Sequence, residues 1–190
     1  MKPGDHPDFF RLPPPPGRSR ESRIVLDELG RFWNGPVPID HEAMSTAFAS
    51  WIAIHPDDGR FVLTNGYDWT YFTVKDAPFL VRHVENTPAG PVLRLFDGTE
   101  ERLDPSTVTI SQEGILYARV KGGRFEARLS RAAQAEMVDS VVEGPDGSAH
   151  VRAGESDHRI GERACASLGE AVAGAGASVG SPPAKSFSAT

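Results

Sequence analysis

The stretch Leu63-Thr-Asn-Gly-Tyr-Asp-Trp-Thr-Tyr-Phe-Thr-Val-Lys-Asp-Ala-Pro-Phe79 holds four aromatic rings within six residues, directly after an Asn-Gly pair. Asn-Gly between alternating apolar residues is a strong hairpin signal, because both central positions of a type I′ turn need φ above zero. It predicts strands over 60–64 and 67–75 joined by a two-residue turn. Thr64 then pairs with Tyr67, Val62 with Trp69 and Arg60 with Tyr71, all on one face by the two-residue repeat of a strand. Phe61, Leu63, Phe72 and Val74 form the other face, an ordinary core face. That leaves Arg60, Tyr67, Trp69, Tyr71 and Lys75 as a candidate ligand-binding surface. Stacked rings and cations suit a planar anionic ligand. Alternatively, Trp69 and Tyr71 pack against a helix, the N-terminal arm or another unit, the commoner fate of aromatic stripes in small domains.

Outward from this hairpin the pattern is that of a soluble α+β protein. The chain has 190 residues, 39% hydrophobic and 24% charged, enough for one compact body or two small ones. No apolar run reaches the roughly 18–20 residues of a membrane-spanning helix, and the first residues lack a signal peptide's apolar core. A cytoplasmic location with no membrane partner is the expectation. Net charge −6 argues against a broad phosphate-binding surface, so no nucleic-acid partner is expected. Cys165 is the single cysteine, which rules out an internal disulfide and a thiolate metal cluster. The histidines show no metal-ligand spacing, and His6-Pro-Asp8 and His55-Pro-Asp57 read as turns. No dinucleotide, P-loop or nucleophile-elbow motif occurs, and no cofactor is expected.

Pro13-Pro-Pro-Pro16 excludes helix or central strand, so residues 1–17 read as a proline-rich arm. Its Phe9-Phe10 and extended prolines are the unassigned apolar material of a size to cover the aromatic face. Residues 18–77 read as a first α+β unit. It has strand-like runs at Ile24–Leu26, Arg31–Trp33 and Pro36–Ile39, a helix capped by Asp40 and ending near His55-Pro56, and then the hairpin. Residues 78–143 read as a second unit with strands near 79–85, 92–96, 108–110, 115–120 and 124–129, and a helix capped by Ser130. From Glu143 onward Gly, Ala, Ser and Pro dominate, and 144–190 reads as a disordered tail. One internal echo links the units: Leu26-Asp-Glu-Leu-Gly-Arg-Phe-Trp33 resembles Ile110-Ser-Gln-Glu-Gly-Ile-Leu-Tyr117, each followed by further strand and a capped helix.

Three stretches together carry a family resemblance: Gly30-Arg-Phe-Trp33 through Pro38-Ile39, Val74-Lys-Asp-Ala-Pro-Phe79, and Gly122-Gly-Arg-Phe-Glu-Ala-Arg-Leu-Ser-Arg131. They resemble the bacterial family named domain of unknown function 1285 (DUF1285), over about Asp27 to Val142. The resemblance implies two similar small α+β units of antiparallel sheet plus helix, the second superficially like a pleckstrin-homology domain, between flexible ends. It also implies a small-ligand, nucleotide-related site at their interface and a role in signalling. The chain departs from the family at the hairpin tip, Thr64 to Asp68.

Two further features have local readings. Asp76 and Pro78 suit a structural turn, the carboxylate accepting backbone amides and the proline fixing φ. Arg124, Arg128 and Arg131 surround Glu126, either as a solvated charge ladder or as a second candidate anion site beside Ser130. Together these point to a non-catalytic sensing or adaptor module for a small anionic ligand. The alternative is a protein-interaction module gripping extended or proline-rich chain through its aromatic face. An enzyme would need a convergent acid, base or nucleophile that the sequence does not display.

Overall fold

The computed structural model describes residues 2–154 and 156–164. Strands β1 (Glu21–Leu26), β2 (Phe32–Asn34) and β3 (Val37–Pro38) form a meander, helix α1 (Glu42–Ser50) follows, and β4 (Ile52–Ile54), β5 (Phe61–Thr64) and β6 (Trp69–Val74) form a second meander. The last strand lies parallel to the first, giving the order β3-β2-β1-β6-β5-β4. The second sheet repeats this plan with β7 (Phe79–Thr87), β8 (Gly90–Leu95), β9 (Glu100–Arg102), β10 (Thr109–Ile110), β11 (Leu116–Val120) and β12 (Phe125–Leu129). Here β12 lies parallel to β7. Helix α2 (Arg131–Met137) follows, its Ser130 Oγ accepting the Ala133 amide at 3.1 Å.

The two expected sheet-and-helix units are present, with one difference in strand direction. Each sheet is mixed rather than purely antiparallel, because β6 runs parallel to β1 and β12 runs parallel to β7. The second sheet stays open, with β9 at one edge, so the pleckstrin-homology likeness does not extend to a closed barrel.

Several boundaries also differ. Helix α1 is capped by His41, not Asp40, and ends at Ser50 with Trp51 as C-cap. Ile52 and Ile54 extend the apolar pattern of the helix, but they pair with Leu63 and Phe61 as β4. Hairpin β5–β6 pairs Thr64 with Trp69 and Val62 with Tyr71, so its loop spans Asn65 to Asp68. Asn65 Oδ1 accepts the Tyr67 and Asp68 amides at 2.9 and 3.0 Å, and Thr64 Oγ1 accepts the Gly66 amide at 3.1 Å. These side-chain bonds stabilise the wider loop over a two-residue turn. The slip is two residues, so every side chain keeps its face.

The tail expectation fails over 144–154 and 156–164. Strands β13 (Val141–Glu143), β14 (Ala149–Ala153) and β15 (Ser156–Arg159) form a small antiparallel sheet, and β16 (Gly161–Glu162) adds in parallel to β10. Val151 is fully buried in the main core. Ile160 packs against the same core and Arg163 pairs with Asp76 and Glu126, too few anchors to show in the composition of a polar, glycine-rich stretch. Residues 165–190, the rest of that expectation, lie outside the described residues.

The internal echo is a shared loop. Gly30 N donates to Asp27 O at 3.1 Å and Asp27 N to Arg31 O at 3.0 Å, matched by Gly114 to Ser111 at 3.0 Å and Ser111 to Ile115 at 2.8 Å. The glycines have φ +76° and +75°, the left-handed region that glycine occupies without steric penalty.

The sheets pack face to face in one continuous core. Phe32 stacks on Phe96 with ring centroids 6.2 Å apart and planes 9° from parallel, and Phe61 meets Phe125 at 6.5 Å. Phe48 of α1 covers Phe32 edge-on at 5.5 Å. Since Phe32 is 1% exposed and touches α1 and both sheets, Phe32→Ala is expected to lower unfolding free energy by about 3–5 kcal/mol, the range for emptying a large aromatic site. Denaturant melts measure it, and a loss under about 1 kcal/mol would be that of a surface position.

Candidate functional site

An open cavity of about 730 Å³ lies where the β1–β2 loop meets the second sheet and the start of α2. Its apolar lining comes from Leu29, Leu80, Ile115 and Leu129, its charged lining from Glu113, Arg128 and Arg131. Leu29 and Glu113 hold equivalent positions in the two echoed loops, so the repeat in the sequence supplies two lips of one depression. The β1–β2 loop seats closely against β7: a Cβ on Gly30 would stand 2.8 Å from Leu80 Cδ2.

Beneath Arg128 is a charged hub. Asp76 accepts from Arg128 Nη1 at 2.8 Å, Arg163 Nη1 at 2.8 Å and the Tyr117 hydroxyl at 2.9 Å. Arg163 also forks onto Glu126 at 2.6 and 3.2 Å and lies 3.6 Å over the Tyr117 ring. The expected backbone-accepting turn at Asp76 is therefore corrected: its partners are three side chains. The cause is register. Parallel pairing sets Arg128 opposite Leu80, and the Arg163 amide, bonded to Ile110 O at 2.8 Å, brings a third strand end to the same place. Pro78 is buried in the link between the sheets.

Burial would raise the Asp76 pKa, but hydrogen bonds from Arg128, Arg163 and Tyr117 outweigh it and hold the carboxyl below its ordinary range. Burial, then the bond to Asp76, pushes Tyr117 up to about 12.

The other predicted residues separate. Arg128 is committed to Asp76, and Glu126 pairs with Arg163 rather than forming a ladder with Arg124 and Arg128. Arg124 is exposed at the β11–β12 turn with its guanidinium 5.4 Å from the Phe125 ring. Arg131 is exposed on the cavity rim and forms no ion pair among the described residues.

The aromatic face is closed. Trp69 and Tyr71 lie with Val62 beneath Phe9 and Phe10 of the arm. The arm is thus docked rather than flexible, and its phenylalanines, not its prolines, cover the rings. Trp69 Nε1 donates to Phe9 O at 3.2 Å. Arg60 lies 3.8 Å over Tyr71 and forks onto Glu21 at 2.7 and 2.9 Å. Tyr67 is 64% exposed at the loop tip, away from the platform, and Lys75 is exposed beyond β6.

Sequence reasoning missed three residues that organise these places. Arg163 lay in the segment read as disordered. His55 and Asp57, which meet the arm, were read as parts of a turn. The His-Pro-Asp repeat was visible, but its partners stand 45 and 46 residues away.

The fold is shared with crystal structures of DUF1285 family proteins. That from Silicibacter pomeroyi DSS-3 matches with TM-score 0.61 and 18% identity over 75% of this chain and 81% of that chain. That from Shewanella baltica OS155 matches with TM-score 0.52 and 18% identity over 64% of this chain and 94% of that chain. The likeness is one of fold. No family model matches the chain, and no curated protein does.

Asp76→Asn is expected to destabilise by about 2–3 kcal/mol, since charge-assisted hydrogen bonds are lost and two arginines remain beside a neutral group. Because the folded pKa of Asp76 is lowered, its contribution is complete above the ordinary carboxylate pKa of about 3.9 and is lost as pH falls through the folded value. Denaturant melts from neutral to acid pH should show the variant and the wild type converging below about pH 4. A constant difference would remove Asp76 ionisation from the hub.

Proposed function

We propose that the chain is a non-catalytic sensing or adaptor module that seats a small anionic, nucleotide-like ligand in the cavity between the echoed loops. Arg131 carries this reading. It is a cation on the rim of a mainly apolar depression, without an ion pair among the described residues, and an exposed guanidinium matches phosphate or carboxylate. The Leu80, Leu129 and Leu29 surfaces suit a flat apolar body, and Glu113 suits its hydroxyl or amino groups. Neighbouring polar groups are already engaged in structure. Ser130 Oγ donates to Arg82 O at 2.9 Å, and Gln134 Oε1 accepts the Leu116 amide at 3.1 Å. That favours binding over chemistry. A ligand touching Leu29 and Arg131 would bridge the first sheet's loop and the second unit's helix, the geometry an adaptor needs to register occupancy.

A thermal-shift screen of nucleotides and small organic anions tests this. A true ligand at one hundred times its Kd stabilises by about 2.7 kcal/mol. Arg131→Ala, a surface change expected to alter stability by less than about 0.5 kcal/mol, should abolish most of the shift, and Leu29→Ala should reduce it. A shift that survives Arg131→Ala would place the ligand elsewhere, and a screen without any shift would reject the reading.

A further inference from the structure

The outer face of the first sheet is built like a peptide site, and a peptide fills it. Phe9 is 3% exposed and lies against Val62 and Trp69, while the Phe10 ring meets His55 at 5.6 Å and Trp69 at 5.7 Å. The groove also reads the backbone of its occupant. Trp69 Nε1 donates to Phe9 O at 3.2 Å. His55 Nε2 lies 3.3 Å from Phe10 O and donates to it in the tautomer whose Nδ1 accepts the Asp57 amide at 3.3 Å. Arg20 Nη2 donates to the carbonyls of Leu12 and Pro13 at 3.3 and 3.2 Å. Asp57 selects charge: its two oxygens take Arg11 Nε and Nη2 at 3.0 and 2.8 Å. Side-chain donors on carbonyls, an aromatic cleft and one acid opposite one base specify a short segment with two consecutive aromatic residues followed by a basic one.

The connection to β1 is made separately. Residues 13–19 carry no strand or helix. They turn at Pro15–Arg18, with Arg18 N bonded to Pro15 O at 3.0 Å and Gly17 at φ +74°. The arm is held at its start by Gly4 N on Gly66 O at 2.8 Å, at its end by Arg20 on the Leu12 and Pro13 carbonyls, and between them by the groove contacts of Phe9, Phe10 and Arg11. Their outermost member is solvent-facing, with the Arg11 and Asp57 side chains 58% and 43% exposed.

We propose that this groove is a docking site for an aromatic-aromatic-basic segment of a partner protein, and that Phe9–Arg11 occupies it as an intramolecular competitor. The proposal is independent of the cavity ligand, because the groove lies on the face of β5 and β6 opposite Phe61, Leu63 and Phe72. A tethered segment acts at about millimolar effective concentration, and the partner's apparent affinity is reduced by the fraction of chains whose arm is docked. The arm therefore sets a threshold that a matching segment must exceed.

The probe is a dye-labelled peptide of residues 7–14, Pro-Asp-Phe-Phe-Arg-Leu-Pro-Pro, titrated by fluorescence anisotropy against the full chain. Phe9→Ser with Phe10→Ser should release the arm and raise peptide affinity at least about tenfold over the wild type, a difference of about 1.4 kcal/mol. Adding Asp57→Arg should reverse most of that gain, and a peptide with Asp in place of Arg should recover it on that variant. Arg11→Glu alone removes the exposed pairs with Asp57 and Asp8 and should raise affinity about threefold or more. It decides the matter should the double variant not fold. The proposal is overturned by absence of binding up to about 1 mM peptide in folded variants, or by binding indifferent to Asp57→Arg. It is equally overturned by Arg11→Glu giving no gain.

Discussion

Each sheet is joined across a central parallel seam, β6 beside β1 and β12 beside β7, and parallel neighbours cannot be joined by a hairpin. This constraint shapes the molecule. It forces the chain through a second complete meander before either sheet is finished, and it fixes register at the closing seam. In the second sheet the seam sets β12 beside β7, brings Arg128 back to Asp76 and joins the two motifs that carry the DUF1285 likeness. Tyr117, Arg163 and Glu126 complete the network around that carboxylate. Asp76 stands in the link between the sheets, so its partners, all from the second sheet and the strand added to it, tie the link to one side of the molecule.

The order of strands was readable where the physics is local. Turn glycines, the alternation of Phe61, Leu63 and Phe72, and the Ser130 cap each act within a few residues. Even the wrong turn at Asn65-Gly66 left the faces intact, because a two-residue slip preserves alternation. The echo between Leu26–Trp33 and Ile110–Tyr117 was legible for the same reason: one loop geometry needs glycine at one position. What escaped was long-range. Alternation tells which face Trp69 occupies, not that Phe9 covers it. Nothing near Asp76 in sequence announces Arg163, and the last strands hold so little apolar surface that composition describes them as tail. The cavity was half visible, since Arg128 and Arg131 were singled out, but the opposite lip at Leu29 is fixed only by how the sheets meet.

The two surfaces divide the first sheet between them. Its inner face and β1–β2 loop belong to the shared core and the cavity, while its outer face belongs to the arm. Val62 and Leu63 are adjacent in the chain and both buried, yet one lies beneath Phe9 and the other in the main core. The arm and the cavity are thus separated by strands buried on both faces.

The parallel seams also govern how the protein comes into being. Leu26 meets Val74 and Phe79 meets Ala127, the same distance along the chain in both sheets. The entropy of closing a loop grows slowly with its length but precedes any reward from the contact, so hairpins form early and wait for the seams. Folding dominated by such distant pairings is slow compared with helical bundles. During synthesis the first seam can zip once Val74 has emerged, whereas the network at Asp76 waits for Arg128 and then Arg163. The second sheet thus passes through a period with its edges unpaired, and the acidic and basic side chains of Glu100, Glu101 and Arg102 on edge strand β9 are the kind of charge that keeps an exposed strand from recruiting a neighbour.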